Sequence, residues 1–275
     1  MAVRLFASDL DGTLLHSDAT VSEGTLKALH EAEQAGLTVV FVTGRPPRWV
    51  HEVADATGHT GVAVLANGAV LYDLHTEQVL ATHPIERKLV EQITSALRAA
   101  IPEVAFGLEQ GLTFGHEPEY LHDWQMVPTN DRAGRPLPAA HEGSLADLLA
   151  IDEPVVKLLA KGTGLAPDAF MDRVEELVGD RVTVTRSGHS ALVEISGLGV
   201  TKATGLASYA AALGIDQTEV AAVGDMPNDV PMLLWAGQSY AVANAHPSAK
   251  AAAGTVLTET NDEDAVAHLL TSLLP

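Results

Sequence analysis

Cysteine is absent from this 275-residue chain. That excludes a disulfide framework and thiolate chemistry, and it fits a reducing compartment. Long apolar runs are missing too. None approaches the roughly 18 to 20 residues that a bilayer span needs, so no membrane partner is expected. Basic residues are scarce: 16 Lys and Arg stand against 36 Asp and Glu, for a formal net charge of -20. Such a surface repels nucleic acid and anionic membranes. It repels phosphorylated molecules as well, so any phosphate site here needs local positive charge of its own. The first residues are apolar only briefly, carry Arg4 within the run and reach Asp9 at once, which is not the pattern of a signal peptide. The expectation is a cytoplasmic protein. With 47% hydrophobic and 19% charged residues the composition is globular, neither disordered nor membrane-like.

What is present reads as strands alternating with helices. The apolar run at 3–8 stops at Asp9-Leu10-Asp11-Gly12, as a buried parallel strand does. Ser22 has the position of an N-cap ahead of Leu26 and Leu29, with Gly36 as the stop. A second strand at 37–42 is broken by Thr43-Gly44-Arg45-Pro46-Pro47. A helix over 47–57, a strand at 62–65, an Asn67-Gly68 turn and a returning strand at 70–72 follow. This is the order of a doubly wound, Rossmann-like α/β domain. From 84 to 195 the order is mixed. A helix at 88–100 precedes strands at 104–108 and 112–115, then a Pro/Gly/His-rich stretch from Pro128 to Gly143. A strand at 155–159, a helix at 167–178 and strands at 182–185 and 191–195 complete it. Alternation resumes with a helix at 202–213, a strand at 220–223, a helix at 230–236, a strand at 240–242 and a last helix at 263–273. The predicted fold is a parallel-sheet core, residues 1–83 and 196–275, carrying an inserted α+β cap, residues 84–195.

In parallel α/β sheets ligands bind at the carboxyl ends of the strands. Asp9 and Asp11, Thr43, and Asp225 with Asp229 all fall at such ends, and Lys202 opens a helix. Two carboxylates two residues apart on a turn tightened by Gly12 can serve as nucleophile and as general acid and base. Four gathered carboxylates repel one another by roughly 4 kcal/mol per pair at 4 Å and an effective dielectric near 20, so they call for a cation. Oxygen-only ligands suit Mg²⁺. Thr43, the Gly44 amide and Lys202 supply donors and a point charge for phosphoryl oxygens. Each motif alone has a bland reading: a solvated turn, a helix cap, a surface lysine. Their joint occurrence at strand ends and helix starts is what carries the functional one.

Asp9-Leu10-Asp11-Gly12-Thr13, Thr43-Gly44-Arg45, Lys202 and Gly224-Asp225-Met226-Pro227-Asn228-Asp229 resemble the four motifs of the haloacid dehalogenase superfamily. The likeness is to its Cof-type, sugar-phosphatase-like branch, and Asn67-Gly68-Ala69 and Asn244-Ala245 look like that branch too. The resemblance covers the core. It implies a phosphatase in which Asp9 attacks phosphorus while Asp11 protonates the leaving group and then activates water. It also implies that Thr43 and Lys202 hold the phosphoryl group, with Gly12, Gly44, Arg45 and Asn228 around it. Mg²⁺ would be held by Asp9, Asp11 (through its carbonyl), Asp225 and Asp229, and a cap would close over the site and select substrate. Asp11 separates this pattern from the dehalogenases, which lack a second aspartate there, and from ion-pumping ATPases, which place threonine there.

The expected substrate is a small phosphorylated metabolite, a sugar or polyol phosphate first, with cofactor phosphates such as pyridoxal phosphate or flavin mononucleotide as alternatives. Transfer to another alcohol and non-catalytic binding also stay open, as does monomer against homodimer. Arg45 either reaches a second anionic group or pairs with a neighbouring acid. Arg186 and His189 are read as a solvated turn, with substrate contact as the alternative. Trp124 and Trp235 are read as packing residues, and the twelve histidines form no metal-ligand spacing.

Overall fold

The apolar runs become strands in the order the sequence suggests. In a computed structural model, Leu5–Ser8 (β1), Thr38–Val42 (β2) and Val62–Leu65 (β3) are buried strands. Helices Glu23–Gln34 (α1) and His51–Thr57 (α2) alternate with them. Ser22 caps α1, its hydroxyl accepting from the Thr25 N–H, a contact worth about 1 kcal/mol. Val70–Asp73 (β4) runs back antiparallel to β3, and Gln78–Thr82 (β5) continues the sheet. The structure describes residues 2–120, 139–162, 164–188 and 190–274. Trp124, His189 and most of the Pro128 to Gly143 stretch lie outside the described residues.

The chain then enters a second sheet. Arg87–Ala100 (α3) leads to Ala105–Gln110 (β6), Thr113–His116 (β7) and His141–Glu142 (β8). Leu145–Leu149 (α4), Val155–Lys161 (β9), Pro167–Val178 (α5), Val182–Thr185 (β10) and Leu192–Gly197 (β11) complete it. The chain returns through Lys202–Ala212 (α6), Val220–Gly224 (β12), Val230–Trp235 (α7) and Gln238–Ala241 (β13). Pro247–Ala252 (α8), Thr255–Val256 (β14) and Ala265–Leu273 (α9) end it.

Two compact units result: Met1–Gly44, Glu52–Ala81 and Thr201–Pro275 form one, Arg45–His51 and Thr82–Val200 the other. In the first, the sheet order is β14-β13-β12-β1-β2-β3-β4-β5, with β14 through β3 parallel. Chain order runs outward from β1 in one direction and from β12 in the other. The β1/β12 seam is therefore the switch point where α/β sheets place ligands. Leu5, Ala7, Val40, Val42, Val64, Leu206, Val220, Ala222 and Met232 fill part of the core beneath it, with Trp235 packed at its edge. The second unit has the order β10-β11-β9-β6-β7-β8. It has its own core of Phe106, Leu108, Leu158, Ile195 and Val193 against Val90, Ile93 and Leu97 of α3 and Phe170 and Val174 of α5.

Three readings change. The helix expected over 47–57 is a single turn, Pro47–Trp49, followed by α2, because the Pro46-Pro47 pair breaks the ladder at its start. Residues 45–51, assigned to the core from sequence, cluster with the second unit. Arg48 is buried there in a two-pronged ion pair with Glu109 of β6, one arm 2.9 Å long, with its guanidinium 4.6 Å from the Trp49 ring and 5.0 Å from the Phe114 ring. Arg186 is not on a solvated turn: its side chain is buried and paired with Asp168 in the first turn of α5.

Candidate active site

Strand β1 delivers Asp9 and strand β12 delivers Asp225. Ser8 pairs with Val223 across the seam, and the Asp9 N–H donates to the Val223 carbonyl at 3.0 Å, so both aspartates leave the sheet at the same height. The β-strand that ends at Val42 places Thr43 one strand over, fully buried, its N–H on the Val64 carbonyl at 2.8 Å.

Lys202 opens α6, whose start is fixed by a reciprocal cap between Thr201 and Thr204. Its ammonium is completely buried and bridges two carboxylates, 2.5 Å from Asp9 Oδ1 and 2.6 Å from Asp229 Oδ1. Asp229 is itself fully buried, and its other oxygen accepts from the Asp225 and Met226 N–H groups at 3.0 and 2.9 Å. It thus holds both the lysine and the loop that bears Asp225. Thr13 donates to Asp225 Oδ1 at 3.2 Å. Gly12 sits at φ 78°, and a Cβ there would lie 2.5 Å from Asp225 Oδ2; only glycine lets the first loop close on the fourth motif.

Asp9, Asp225 and Asp229 each present an oxygen within 4.8 Å of the others, all buried. Burial first, then the Asp9 and Asp229 charges, push Asp225 up to about 9. Burial also pushes Asp9 up, to about 7, with Asp229 and Asp11 adding to the rise and Lys202 opposing it. On Lys202 burial acts downward, yet Asp229 and Asp9 outweigh it and the net shift is upward. With all three carboxylates ionised, one ammonium leaves two negative charges, which a divalent cation would offset, favouring that ionised state against the upward shifts. The donor set, all oxygen, fits Mg²⁺. Asp9 and Asp225 have the freer carboxylates, since three of the Asp229 contacts are already taken by Lys202 and two N–H groups.

The structure thus brings Asp9, Asp225, Asp229 and Lys202 together. The Asp11 carboxylate is not among the three gathered oxygens; it is exposed, close enough for its charge to raise Asp9. Gly44 and Arg45 follow Thr43 half-buried, and the Arg45 guanidinium donates to the Trp49 carbonyl at 3.4 Å. Asn228 is buried and donates to Asn67 Oδ1 at 3.0 Å. Sequence reasoning gave no site role to Asn67, nor to Asn244, which donates to the Gly12 carbonyl at 2.8 Å while accepting from the Asn261 N–H at 2.9 Å. The signal for both was an asparagine in a turn directly after a strand end.

Among the described residues no helix is long and apolar enough to cross a membrane. Residues 6–270 match the family model of the haloacid dehalogenase-like hydrolases. A chloroplastic protein of Arabidopsis thaliana named endoribonuclease YBEY is 30% identical over 95% of this chain, which spans only 45% of that protein. The pyridoxal phosphate phosphatase YbhA of Escherichia coli K12 is 28% identical with both chains covered in full. A solved haloacid dehalogenase-like hydrolase from B. subtilis superposes with a TM-score of 0.82 at 25% identity, covering 99% of this chain and 100% of that one.

Proposed function

The chain belongs to the haloacid dehalogenase-like hydrolases, and from that premise we propose that it is a Mg²⁺-dependent phosphatase of small phosphomonoesters working through an aspartyl-phosphate on Asp9. The observation that carries this reading is Lys202 bridging Asp9 and Asp229 beside Asp225, at the sheet's switch point.

The roles follow from burial and contact. Asp9 is buried, and one oxygen is held by Lys202 while the other is the attacking atom. Asp11, two residues on and exposed, has the acid–base role: it protonates the departing alkoxide and then takes a proton from water. Thr43, the Gly44 amide and Lys202 offer donors to the phosphoryl oxygens; Gly12 keeps the loop closed, and Arg45 and Asn228 lie in the same motifs. Asp9, Asp225, Asp229 and the Asp11 carbonyl are the groups that would hold Mg²⁺. That ion, when bound, supplies charge neutralisation between carboxylates and phosphate.

Sugar and polyol phosphates are the first substrate class. A cofactor phosphate is the second reading, favoured by the E. coli relative named for pyridoxal phosphate. A cytoplasmic setting and a small-metabolite partner complete the proposal.

The test is hydrolysis of p-nitrophenyl phosphate with and without magnesium, beside Asp9→Asn. Turnover that needs the metal and falls by about 10³-fold or more in the variant is expected. Undiminished turnover in Asp9→Asn would remove Asp9 from its role. Relative kcat/KM on sugar phosphates and pyridoxal phosphate decides between the substrate classes.

A further inference from the structure

The turn after β3 is strained in a way that its own connection does not require. Ala66, Asn67 and Gly68 follow one another at φ 50°, 57° and 98°, three successive residues on the left-handed side, two of them not glycine. All three are buried. Left-handed asparagine is tolerated, left-handed alanine is not favoured, and such segments persist only where surrounding contacts fix them.

Contacts of this turn lead to the active-site segments. The Asn67 N–H donates to the Thr43 carbonyl at 3.1 Å. A Cβ on Gly68 would collide with the Thr201 carbonyl oxygen, so the turn lies directly against the residue before Lys202, and Gly205, one turn further along α6, packs on Gly68 as well. The Asn67 carboxamide oxygen accepts from Asn228 Nδ2 at 3.0 Å. That bond fixes which way the Asn228 amide faces. Its amino group is spent on Asn67, and its Oδ1 is buried with no hydrogen-bond partner among the described residues. A buried acceptor left open beside Asp229 is costly unless a donor arrives with the ligand.

We propose that Asn67 is a positioning residue: it holds the Asn228 carboxamide so that Oδ1 stays available to an O–H donor of the bound ligand, either water carried by the cation or a group of the phosphoester. This rests on the phosphatase reading for its kinetic consequence. Asn67 touches neither phosphate nor metal; it acts through Asn228.

Asn67→Gly isolates the side chain, because glycine is at home at φ 57° and keeps the N–H that binds Thr43. The experiment is a double-mutant cycle of Asn67→Gly and Asn228→Ala, read on p-nitrophenyl phosphate hydrolysis and, separately, on magnesium affinity by calorimetry. Asn67→Gly is expected to lower kcat/KM or magnesium affinity by about 10- to 100-fold, and to add less than about twofold in the Asn228→Ala background. Weaker magnesium binding identifies the donor as cation-borne water; unchanged magnesium binding with a poorer kcat/KM identifies it as the phosphoester. Near wild-type values in both readouts, or effects that simply multiply, overturn the inference. If the wild type binds magnesium but hydrolyses nothing, the phosphatase reading falls alone and the magnesium cycle decides Asn67 by the same criteria. If it does neither, both fall.

Discussion

Lys202 is the residue on which the electrostatics of the site turn. Its ammonium has no exposure and lies within 2.6 Å of two buried carboxylates. Removing it strands both charges. Lys202→Ala is expected to cost about 3–5 kcal/mol in denaturant unfolding, measured without magnesium, because breaking a buried pair leaves uncompensated charge. A loss below about 1 kcal/mol would place the pair among solvent-screened ones and contradict the burial. These charged residues were legible in the sequence because each sits where a strand ends or a helix begins. Asn67 was legible as a turn and as part of the family resemblance but not as a site residue, since nothing in Asn-Gly distinguishes a hairpin signal from a buried asparagine holding another amide. Arg186 was misread because a Ser-Gly-His run suggests solvent, whereas Asp168, eighteen residues earlier, pairs with it. Such partners are set by tertiary packing and leave no local trace.

At the scale of elements, the strand and helix order was readable wherever side chains are buried on a regular period. It failed where they are not. Every residue of β5 is at least partly exposed, and β14 has two exposed residues, so neither carries an apolar pattern to recognise. The helices themselves are tied by contacts with their own pH dependence. Glu33 near the end of α1 accepts from His59, which is buried against Phe41 in the loop before β3, at 2.7 Å. That hydrogen bond, chiefly, lowers the Glu33 carboxyl below its ordinary 4.5, against a smaller upward push from burial. A depressed folded-state value stabilises above the unfolded value, and the gain disappears as pH falls through the folded one. Glu33→Gln is therefore expected to melt earlier than wild type near pH 7, with the gap closing below pH 4.5. A gap that is constant with pH would show that Glu33 contributes no titrating interaction.

Over the whole molecule, two units with separate cores share one chain, and the cluster of Asp9, Asp225, Asp229 and Lys202 lies wholly in the first. Residues 45–51 cluster with the second unit, where Arg48 pairs with Glu109, and no local pattern in the sequence marks this. The net charge of -20 acts at this scale. It opposes the approach of a phosphoester dianion, and added salt screens that repulsion over a Debye length of about 10 Å at 0.1 M. At saturating magnesium, kcat/KM is expected to rise as inert salt goes from about 20 to about 200 mM. A steep fall would mean that local positive charge governs capture instead.

The central step of the proposal is a covalent bond between phosphorus and the Asp9 carboxylate, and such a bond would leave a mark that can be read directly. Enzyme quenched during turnover and reduced with borohydride converts an aspartyl-phosphate to homoserine, which peptide sequencing locates between Leu5 and Lys27. Homoserine at position 9, and aspartate retained at position 11, is the expected result. Homoserine at 11, or an unmodified peptide from enzyme that is turning over substrate, would contradict it.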